Sequence, residues 1–318
     1  MCRKYGPPDV LEITDIPKPE VKHNEVLIKV RATTVTSGDW RVRSGIVPRG
    51  FGMLARLFLG FSGPRQPILG TELAGDIEAV GRDVRRFKAG DPVFAFTGTR
   101  MGSYVEYKCL PEDGPLAPKP AHLSYEEAAA LSFGGATALV FLRKGKIQKG
   151  DKVLVNGASG GVGTAAVQIA KHFGAEVTGV SSTGNLELVK SIGADKVIDY
   201  TKEDFTQSGL AYDIIVDTVG TAPFSRSGRS LKDDGRLLQV LGTLADALQA
   251  PWVAMTTRKR VIAGPAAEDP QDVRVLAALA EAGELKPVID RRYPFEQIVE
   301  AHRHVDAGHK RGNVVITV

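Results

Sequence analysis

The chain has 318 residues, of which 43% are hydrophobic, and a formal net charge of +4 with a pI near 8.9. This length is sufficient for two domains, and the apolar content supports a substantial core. The lysines and arginines are interspersed rather than grouped in long blocks, so we expect no nucleic-acid partner. No apolar run approaches the about 18 residues of a membrane-spanning helix, so we expect no membrane span.

The two cysteines, Cys2 and Cys109, cannot form a disulfide framework for a chain of this size, and neither lies in a C-x-x-C pair. Residues 1–4 lack the hydrophobic segment of a signal peptide. We therefore expect a protein of the reducing cytoplasm.

The first third of the chain is typical of a compact β-rich domain, because short β-rich stretches alternate with glycine and proline. The stretches that we predict to be strands are residues 25–32, 75–80, 92–96 and 104–108. The sequence pattern changes from strand-like to helical at Ser124. Together with Glu126 and Glu127, Ser124 resembles the capped start of a helix. We place a domain boundary near residue 122.

After this boundary, apolar stretches alternate with helical patterns, which forces parallel pairing in a doubly wound Rossmann sheet. The predicted strands are residues 152–156, 176–181, 196–200, 213–219, 236–242 and 260–264. Two helices, at about 270–282 and 296–307, and a strand at 313–318 follow. The predicted fold class is α/β, with a β-rich domain at 1–122, a Rossmann domain at 123–264, and a tail at 265–318 that returns to the first domain.

A glycine-rich run, NGASGGVG at residues 156–163, follows a predicted strand and opens a predicted helix. This context favours a pyrophosphate site, because unpaired N–H groups and the positive end of the helix dipole point at the turn. Residues in and around such a unit are candidate cofactor ligands. The candidate ligands in the turn are Ser159, Gly160, Gly161 and Val162. Two further candidates, Val219 and Gly242, lie at the ends of later strands.

The end of the second Rossmann strand indicates which dinucleotide binds. NAD-binding units place a carboxylate there for the adenosine ribose, whereas this chain has Ser181. A serine leaves room for the additional phosphate of NADP and can donate a hydrogen bond to it, so we predict NADP as the cofactor. Asn185 occupies the region where a basic residue is often found, which makes the expected preference modest.

Separate stretches of the chain resemble the medium-chain dehydrogenase/reductase superfamily, and within it the zinc-free quinone oxidoreductase group, in the family's order. They are KYGPPDV at 4–10, ILGTELAGDIEAVG at 68–81, the glycine turn, GADKVIDY at 193–200 and RGNVVITV at 311–318. The resemblance implies a GroES-like first domain, completed by the tail, with the active site in the cleft between the two domains. It also suggests Tyr200, Arg311 and Asn313 as cofactor contacts; strand-end packing for Tyr200 and a solvated charge for Arg311 are the alternatives.

The zinc enzymes of this superfamily hold a catalytic ion with a Cys, a G-H-E segment and a second Cys or Asp. Here that segment reads Gly70, Thr71, Glu72, and the counterpart of the first Cys falls in the cysteine-free stretch 36–39. The structural site needs four close thiolates, and residues 96–111 contain one. We interpret the six histidines as surface residues and predict no bound metal.

By resemblance, the nicotinamide lies near Thr71, Thr137, Gly242 and residues 263–265. Without zinc, the accessible reaction is hydride transfer to a quinone or an α,β-unsaturated carbonyl compound. The candidate catalytic residues are Thr36, Asp39, Thr71 and Tyr104. Asp39 could instead cap a short helix, Tyr104 could serve packing, and solvent could supply the proton.

Three questions stay open at this level. The apolar segment FGMLARLFLGF at 51–61 is either a flap over the cleft or a helix buried in the first domain. The activity could alternatively be that of an enoyl-thioester reductase, or the chain could be a weakly catalytic nucleotide-binding partner protein. Relatives commonly pair the edge strands of their Rossmann sheets, which predicts a homodimer through residues 260–264.

Overall fold

The chain folds into two β-sheets covered by helices in this computed structural model, which describes residues 1–264, 266 and 269–318. The strands are β1 (Glu25–Val35), β2 (Glu72–Val80), β3 (Pro92–Phe96), β4 (Tyr107–Pro111), β5 (Leu116–Pro118), β6 (Lys152–Asn156), β7 (Glu176–Ser181), β8 (Lys196–Asp199), β9 (Tyr212–Asp217), β10 (Leu231–Gln239), β11 (Arg260–Ala263), β12 (Ile289–Pro294) and β13 (Asn313–Thr317). The α-helices are α1 (Ser37–Ser44), α2 (Gly52–Leu59), α3 (Tyr125–Ala129), α4 (Ser132–Lys144), α5 (Gly161–His172), α6 (Leu186–Ser191), α7 (Phe224–Ser227), α8 (Leu244–Thr256), α9 (Pro270–Glu281) and α10 (Ile298–Asp306).

The first sheet has seven strands and is mainly antiparallel. Its order is β12-β13-β1-β2-β3-β5, and β4 also pairs with β1. The tail strand β13 pairs with β1 from Ala32 opposite Thr317 to Val35 opposite Val314. The first sheet therefore contains strands from both ends of the chain, although the domain limits at residues 122 and 264 stay predictions.

The second sheet is parallel and has the order β11-β10-β9-β6-β7-β8. Its central strand β6 is inaccessible on both faces, since Val153, Leu154 and Val155 are all buried. Helices cover both faces because the chain reverses direction through a helix between parallel strands. This confirms the predicted α/β fold class with a doubly wound sheet.

One apolar core joins the two sheets. Ala32, Phe94 and Val315 of the first sheet belong to the same buried cluster as Val155 of the second sheet. The helices α3 and α4 lie between the sheets and contribute Leu139 among others to this cluster. The two sheets are thus held together by burial of shared apolar side chains.

Three strands of the first sheet, β4, β5 and β12, were not predicted correctly, and the three-residue strand β5 was missed altogether. The predicted strand at 104–108 begins later, at Tyr107, because the side chain of Tyr104 is buried in the core before the chain becomes extended. The strand β12 was missed, since its sequence IDRRYP lies at the sheet edge and is half-buried or exposed throughout. An edge strand rich in charge lacks the apolar alternation on which strand prediction depends.

An ion pair links α1 to the tail helix α10. The side chain of Arg43 is fully buried and donates hydrogen bonds to Asp306 and, at 2.8 Å, to the carbonyl of Gly6. A buried guanidinium without its carboxylate is strongly unfavourable, because solvation of the charge has been lost.

We expect Asp306→Ala to lower the free energy of unfolding by about 3 kcal/mol, since it leaves Arg43 buried with an uncompensated charge. The matched control is Asp9→Ala, which breaks the exposed ion pair of Asp9 with Arg303 and should cost less than about 1 kcal/mol. Denaturant unfolding of both variants measures the difference. Equal losses would show that burial of Arg43 has no special role.

Candidate active site

The turn between β6 and α5 can form only with glycine at two positions. Gly157 has a φ of +84°, in the left-handed region that residues with side chains rarely adopt. A Cβ atom at Gly163 would lie 2.0 Å from the carbonyl oxygen of Gly157. A side chain there would push α5 away from the strand, so the glycine run is required by the geometry of this turn.

The first turn of α5 presents backbone donors. Its N-cap residue, Gly160, provides no side-chain cap, and the carbonyl of Gly160 accepts the hydrogen bond of Thr164 at 2.8 Å. Within the part of the chain that the structure describes, the N–H groups of Gly161, Val162 and Gly163 have no acceptor. Three such donors at a helix N-terminus are suited to an anion such as pyrophosphate.

The tail of the chain lies against this turn. The N–H of Gly312 donates to the carbonyl of Ser159 at 2.7 Å, and Gly312 forms an isolated bridge with Gly160. A Cβ atom at Gly161 would lie 2.9 Å from Oδ1 of Asn313 and 3.3 Å from Nζ of Lys310. The predicted contact residue Asn313 is therefore beside the turn, together with Lys310, which was not predicted from sequence.

The loop after β7 carries several of the predicted cofactor-binding residues. The hydroxyl of Ser181 donates to that of Ser159 at 2.8 Å, and Nδ2 of Asn185 lies 3.3 Å from the same oxygen. Oδ1 of Asn185 is buried and has no partner among the described residues. A Cβ atom at Gly184 would lie 3.5 Å from Nη2 of Arg311. Four residues that were predicted to contact the cofactor thus lie around one loop: Ser159, Ser181, Asn185 and Arg311.

Two further candidates lie at the rim of this region. Tyr200 follows β8, its side chain is exposed, and its N–H donates to the carbonyl of Ser181 at 3.1 Å. Val219 follows β9, and its Cγ1 would lie 2.6 Å from a Cβ atom at Gly157, so it covers the glycine turn. Both side chains are exposed, by 60% and 47%.

A buried carboxylate fixes the loop after β9. Asp217 is fully buried, and its oxygens accept hydrogen bonds from Nδ2 of Asn156 at 3.0 Å and from the N–H groups of Gly220 at 3.0 Å and Ala222 at 2.9 Å. This network holds the ends of β6 and β9 together beside Val219. This network was not predicted from sequence. The available signal was the pair of polar residues, Asn156 and Asp217, at the ends of two parallel strands.

The nicotinamide end was predicted from resemblance at Thr137, Gly242 and residues 263–265. Thr137 lies on α4 and its hydroxyl donates to the carbonyl of Phe133 at 2.7 Å. A Cβ atom at Gly242 would lie 2.8 Å from that of Ala263, so these two neighbouring loops approach closely. Pro265 lies outside the described residues.

The candidate catalytic residues Thr36, Asp39 and Thr71 are in hydrogen-bond contact. The hydroxyl of Thr36 donates to Oδ2 of Asp39 at 2.6 Å and lies 3.2 Å from the hydroxyl of Thr71. Asp39 also accepts from the N–H groups of Thr36 at 2.8 Å and Gly70 at 2.9 Å. Burial raises the pKa of Asp39 to about 6, although the hydrogen bonds from Thr36 and Gly70 oppose this rise.

These contacts give Asp39 the helix-capping role that the sequence left open. Thr36 and Asp39 form a capping box, in which each side chain accepts from the other's N–H, at the start of α1. The second oxygen of Asp39 fixes the loop at Gly70, next to Thr71. The carboxylate therefore positions both threonines.

Tyr104 is buried, and its side chain interacts with Asp39, the carboxylate that positions the two threonines. Its hydroxyl donates to the carbonyl of Thr34 at 3.2 Å, and its ring packs edge-to-face on His302 with centroids 5.8 Å apart. Burial and the neighbouring charge of Asp39 raise the pKa of Tyr104 well above its ordinary value. This environment favours the packing role for Tyr104.

The prediction that all six histidines lie at the surface was wrong for His302. Its side chain is fully buried on the inner face of α10, beside Ala301 and Val305. Burial, with a smaller contribution from Arg43, lowers the pKa of His302 to about 3, so the ring is neutral. The helical spacing of buried residues 298, 301, 302 and 305 was the signal that could have identified it.

The helix α4 connects the two halves of the site. Its residue Phe133 would lie 3.1 Å from a Cβ atom at Gly38, in the first turn of α1. A Cβ atom at the next residue, Gly134, would lie 2.5 Å from the carbonyl of Gly161, in the first turn of α5. Consecutive residues of one helix thus contact the first turn of α1, which follows Thr36, and the first turn of α5, which follows the glycine turn.

Two family descriptions match the chain, each over one part of it. The description "Alcohol dehydrogenase GroES-like domain" matches residues 22–121, and "Zinc-binding dehydrogenase" matches residues 192–316.

Proteins of known name are similar to nearly the whole chain. A 2-methylene-furan-3-one reductase of Solanum lycopersicum is 34% identical over 98% of this chain and 76% of its own length. A chloroplastic NADPH-dependent alkenal/one oxidoreductase of Arabidopsis thaliana is 31% identical over 98% of this chain and 77% of its own. The structure of the quinone oxidoreductase from Coxiella burnetii has a TM-score of 0.85 and 31% identity, with 99% of this chain and 97% of that chain covered.

The chain belongs to the medium-chain dehydrogenase/reductase superfamily. The relatives place it in the quinone oxidoreductase group, which confirms the resemblance seen in the sequence motifs. The first domain is GroES-like, and the protein is an oxidoreductase that uses a nicotinamide cofactor.

In this medium-chain dehydrogenase/reductase the side chains of Thr71 and Glu72 are engaged by protein partners. The hydroxyl of Thr71 contacts Thr36, and Glu72 points to other partners. Across residues 1–264, 266 and 269–318, no three His, Cys, Asp or Glu side chains are grouped closely enough to hold a metal ion. Over the same residues, no helix is long and apolar enough to cross a bilayer.

The apolar segment at 51–61 forms the surface helix α2, so the alternative of a buried core helix is wrong. None of the residues of α2 itself is buried, and Met53 and Phe58 are exposed by 87% and 69%. The inner side contacts the first domain through Arg56, whose guanidinium lies 4.0 Å from the ring centroid of Tyr5. Its role as a flap stays a prediction.

Glu72 is a buried acid beside the candidate catalytic threonine. It accepts hydrogen bonds from the hydroxyl of Thr34 and, at 2.5 Å, from the N–H of Phe133 at the start of α4. Burial raises the pKa of Glu72 to about 7, which these hydrogen bonds and the ammonium of Lys310 oppose. Burial likewise lowers the pKa of Lys310 to about 8, and the charge of Glu72 opposes that shift.

The raised pKa of Glu72 makes stability depend on pH. The folded state binds this proton more tightly than the unfolded chain, so the free energy of unfolding is highest at low pH. It falls as the pH rises from the ordinary glutamate value of 4.5 to about 7. In the unmodified protein, we expect Glu72 to lower the free energy of unfolding by up to about 3 kcal/mol as the pH rises through this range, and Glu72→Gln should abolish that decrease. Denaturant unfolding between about pH 5 and pH 8 measures the difference.

Glu187→Gln, at an exposed position of α6, is the control for loss of a carboxylate elsewhere. The pH dependence that remains in Glu72→Gln should include the smaller contribution of Asp39, whose pKa is also raised. An unchanged pH dependence in Glu72→Gln would contradict the assignment.

Proposed function

We propose that this reductase transfers a hydride from NADPH to a quinone or an α,β-unsaturated carbonyl compound without a metal ion. The observation that carries the proposal is the contact of two buried hydroxyls, Thr36 and Thr71, in the cleft next to a glycine turn with three available N–H donors. Relatives named a 2-methylene-furan-3-one reductase and a quinone oxidoreductase support this class of acceptor.

The residues of the cleft fit a dinucleotide with an additional phosphate. Any side chain at Gly163 would collide with the turn, and the unpartnered Oδ1 of Asn185 leaves one buried acceptor for a ligand donor. Ser181 replaces the carboxylate that would repel a phosphate, and the guanidinium of Arg311 lies against the same loop. A relative named NADPH-dependent supports the same choice.

The bound nicotinamide supplies the hydride, and the chain's own groups orient the acceptor and stabilise its developing negative charge. The hydroxyl of Thr36 already donates a hydrogen bond to Asp39, so it has no proton left to donate to the acceptor. The hydroxyl of Thr71 is then the group free to donate, either to Thr36 or to the acceptor oxygen. We assign Thr71 the role of oxyanion donor, with Thr36 and Asp39 as positioning residues.

The purified protein should oxidise NADPH with quinones and enones, whether or not a chelator is present. Thr71→Val removes the hydroxyl at nearly constant volume and should lower kcat by about tenfold to a hundredfold, because one donor to the oxyanion is lost. Thr71→Ser retains the hydroxyl and should retain most of the activity. Steady-state NADPH absorbance assays measure both variants.

Each outcome of this assay separates the alternatives. Preference for enoyl thioesters would favour an enoyl-thioester reductase, and no oxidation with any acceptor would favour a nucleotide-binding partner protein. Loss of activity with chelator would refute the metal-free mechanism. Equal activity of Thr71→Val and the unmodified protein would refute the role of Thr71.

The role of Arg311 can be tested by binding alone. We expect Arg311→Gln to weaken NADPH binding by about tenfold, since a charge-assisted contact to the additional phosphate is lost, and to leave NADH binding unchanged. Arg303→Gln, at a surface position on α10, is the matched control. Titration of cofactor fluorescence gives both dissociation constants, and equal weakening of both dinucleotides would contradict the assignment.

We further propose that the protein is a cytoplasmic homodimer. The strand β11 lies at the edge of the parallel sheet, where a second copy can pair with it. The cysteines Cys2 and Cys109 are both free thiols, as expected in a reducing compartment. One relative is named chloroplastic, so the compartment is supported only by this cysteine chemistry.

A further inference from the structure

Arg41 is a half-buried cation without a counter-charge. It lies on α1, two residues after Asp39. Its Nε is buried and, within the described residues, has no hydrogen-bond partner, and the guanidinium forms no ion pair there. Its guanidinium lies 5.1 Å from the ring centroid of Trp40. Burial lowers the pKa of Arg41, but an arginine still keeps its charge at neutral pH. The positive charge is therefore partly desolvated and not compensated.

Other buried guanidiniums of this fold do have carboxylate partners. The fully buried Arg43 pairs with Asp306, and Nη2 of Arg236 lies 3.2 Å from Oδ2 of Asp151. A cation that is removed from water without an anion is unfavourable, because the lost hydration is not replaced. An anionic ligand at Arg41 would supply the missing charge.

Arg41 lies beside the candidate acceptor site. The helix α1 begins after Thr36, whose hydroxyl is 3.2 Å from that of Thr71. Gly38 and Arg41 are three residues apart and so share one face of this helix. A Cβ atom at Gly38 would lie 3.1 Å from the ring of Phe133 on α4, so this face is directed towards the Rossmann domain. From Thr36 to Arg41 the helix rises by about 7.5 Å, which is close to the length of a small acceptor.

Two further arginines without partners lie on segments that contact the site. Arg100 ends a short 3₁₀ turn, and the N–H of Gly98 in the same turn donates to the carbonyl of Thr71 at 3.0 Å. The carbonyl of Arg49 accepts from the N–H of Leu244 at 3.1 Å, in the loop after β10. Both arginine side chains are exposed and, in the part of the chain that the structure describes, form no ion pair.

The same segments carry no acid that could neutralise these cations. Residues 40–71 and 96–104 contain no aspartate or glutamate. Asp39 and Glu72, which flank the first of these segments, are buried and already accept hydrogen bonds. Cations grouped around a site attract anionic ligands and orient them. The charge distribution therefore favours a negatively charged acceptor.

We infer that the acceptor is an α,β-unsaturated keto acid, whose carboxylate binds Arg41 while its carbonyl oxygen accepts from Thr71. This inference rests on the proposed reduction and names its substrate class. A guanidinium presents two parallel N–H donors that match the two oxygens of a carboxylate. The β carbon of the acceptor takes the hydride of NADPH and the α carbon takes a proton from solvent, which gives the saturated keto acid and NADP⁺.

A pair of acceptors that differ only in charge tests the inference. The unmodified protein should reduce 6-oxohept-4-enoate with a kcat/KM about tenfold above that of its methyl ester, because only the acid can pair with Arg41. Arg41→Gln should lower kcat/KM for the acid by about tenfold to a hundredfold, mainly through KM, and change the value for the ester by less than about twofold. Arg41→Lys retains the charge without the paired donors and should give an intermediate value.

The matched control is Arg229→Gln. Arg229 is exposed and directly precedes β10, at the amino ends of the parallel strands, whereas ligands of this fold bind at the carboxyl ends. This variant should retain the preference of the unmodified protein for the acid.

Binding of the saturated product gives a readout that does not depend on turnover. Calorimetric titration with 6-oxoheptanoate in the presence of NADP⁺ should show about tenfold weaker binding to Arg41→Gln, while the dissociation constant of NADPH stays unchanged. If no acceptor is reduced but 6-oxoheptanoate binds through Arg41, the proposed reaction fails and the carboxylate site stands.

Three results would overturn the inference. The first is an equal loss of kcat/KM for acid and ester in Arg41→Gln, and the second is weaker NADPH binding by that variant, which would assign Arg41 to the cofactor. The third is a preference for an enoyl-coenzyme A over both acceptors, which would assign the cations to the phosphates of a thioester substrate.

Discussion

The site depends on a carboxylate that the fold buries between its two domains. Glu72 accepts hydrogen bonds from β1, through Thr34, and from the N-terminus of α4, through the N–H of Phe133. The helix N-terminus is one of the few places where a buried carboxylate is favoured, because unpaired N–H groups and the helix dipole stabilise its charge. Since Glu72 directly follows Thr71, this contact also sets where the candidate catalytic hydroxyl lies.

The threonine pair occupies the place where the zinc enzymes of this superfamily concentrate ligands. A zinc ion fixes its ligands through coordination bonds, whereas hydroxyls must be held by hydrogen bonds. Asp39 holds them here, because it accepts from Thr36 and from the N–H of Gly70 and so joins α1 to the loop that carries Thr71. One buried carboxylate thus fixes the geometry of this pair.

The strands of the second sheet were all predicted from sequence, although β10 begins at Leu231 and ends at Gln239 instead of spanning the predicted 236–242. The strands β6 and β7 were predicted with the bounds that the structure shows, because buried parallel strands are continuous apolar runs bounded by polar turns. The first sheet was less predictable, since its charged edge strand β12 carries no apolar pattern. The glycine turn could be recognised because its backbone geometry restricts which residues fit.

Long-range contacts were beyond sequence reasoning. Nothing in the local pattern joins Glu72 to Phe133, or brings Lys310 beside Gly161, because those contacts exist only once the tail has packed on the turn. The burial of His302 was missed for a related reason, since a histidine is counted as polar until its helical face is known. The geometry of a turn or a strand is encoded in its own stretch of sequence. The placement of charged side chains between domains depends on tertiary packing, which the local sequence does not reveal.

The pairing of β13 with β1 has a consequence for biosynthesis. The strand β13 follows the whole Rossmann domain in the chain, yet it lies beside β1 at the centre of the first sheet. During synthesis on the ribosome, the edge of β1 in the GroES-like domain therefore stays unpaired until the Rossmann domain and β13 have emerged. Such distant pairing raises the contact order and slows folding, and it leaves an exposed edge that a chaperone could shield in the interval.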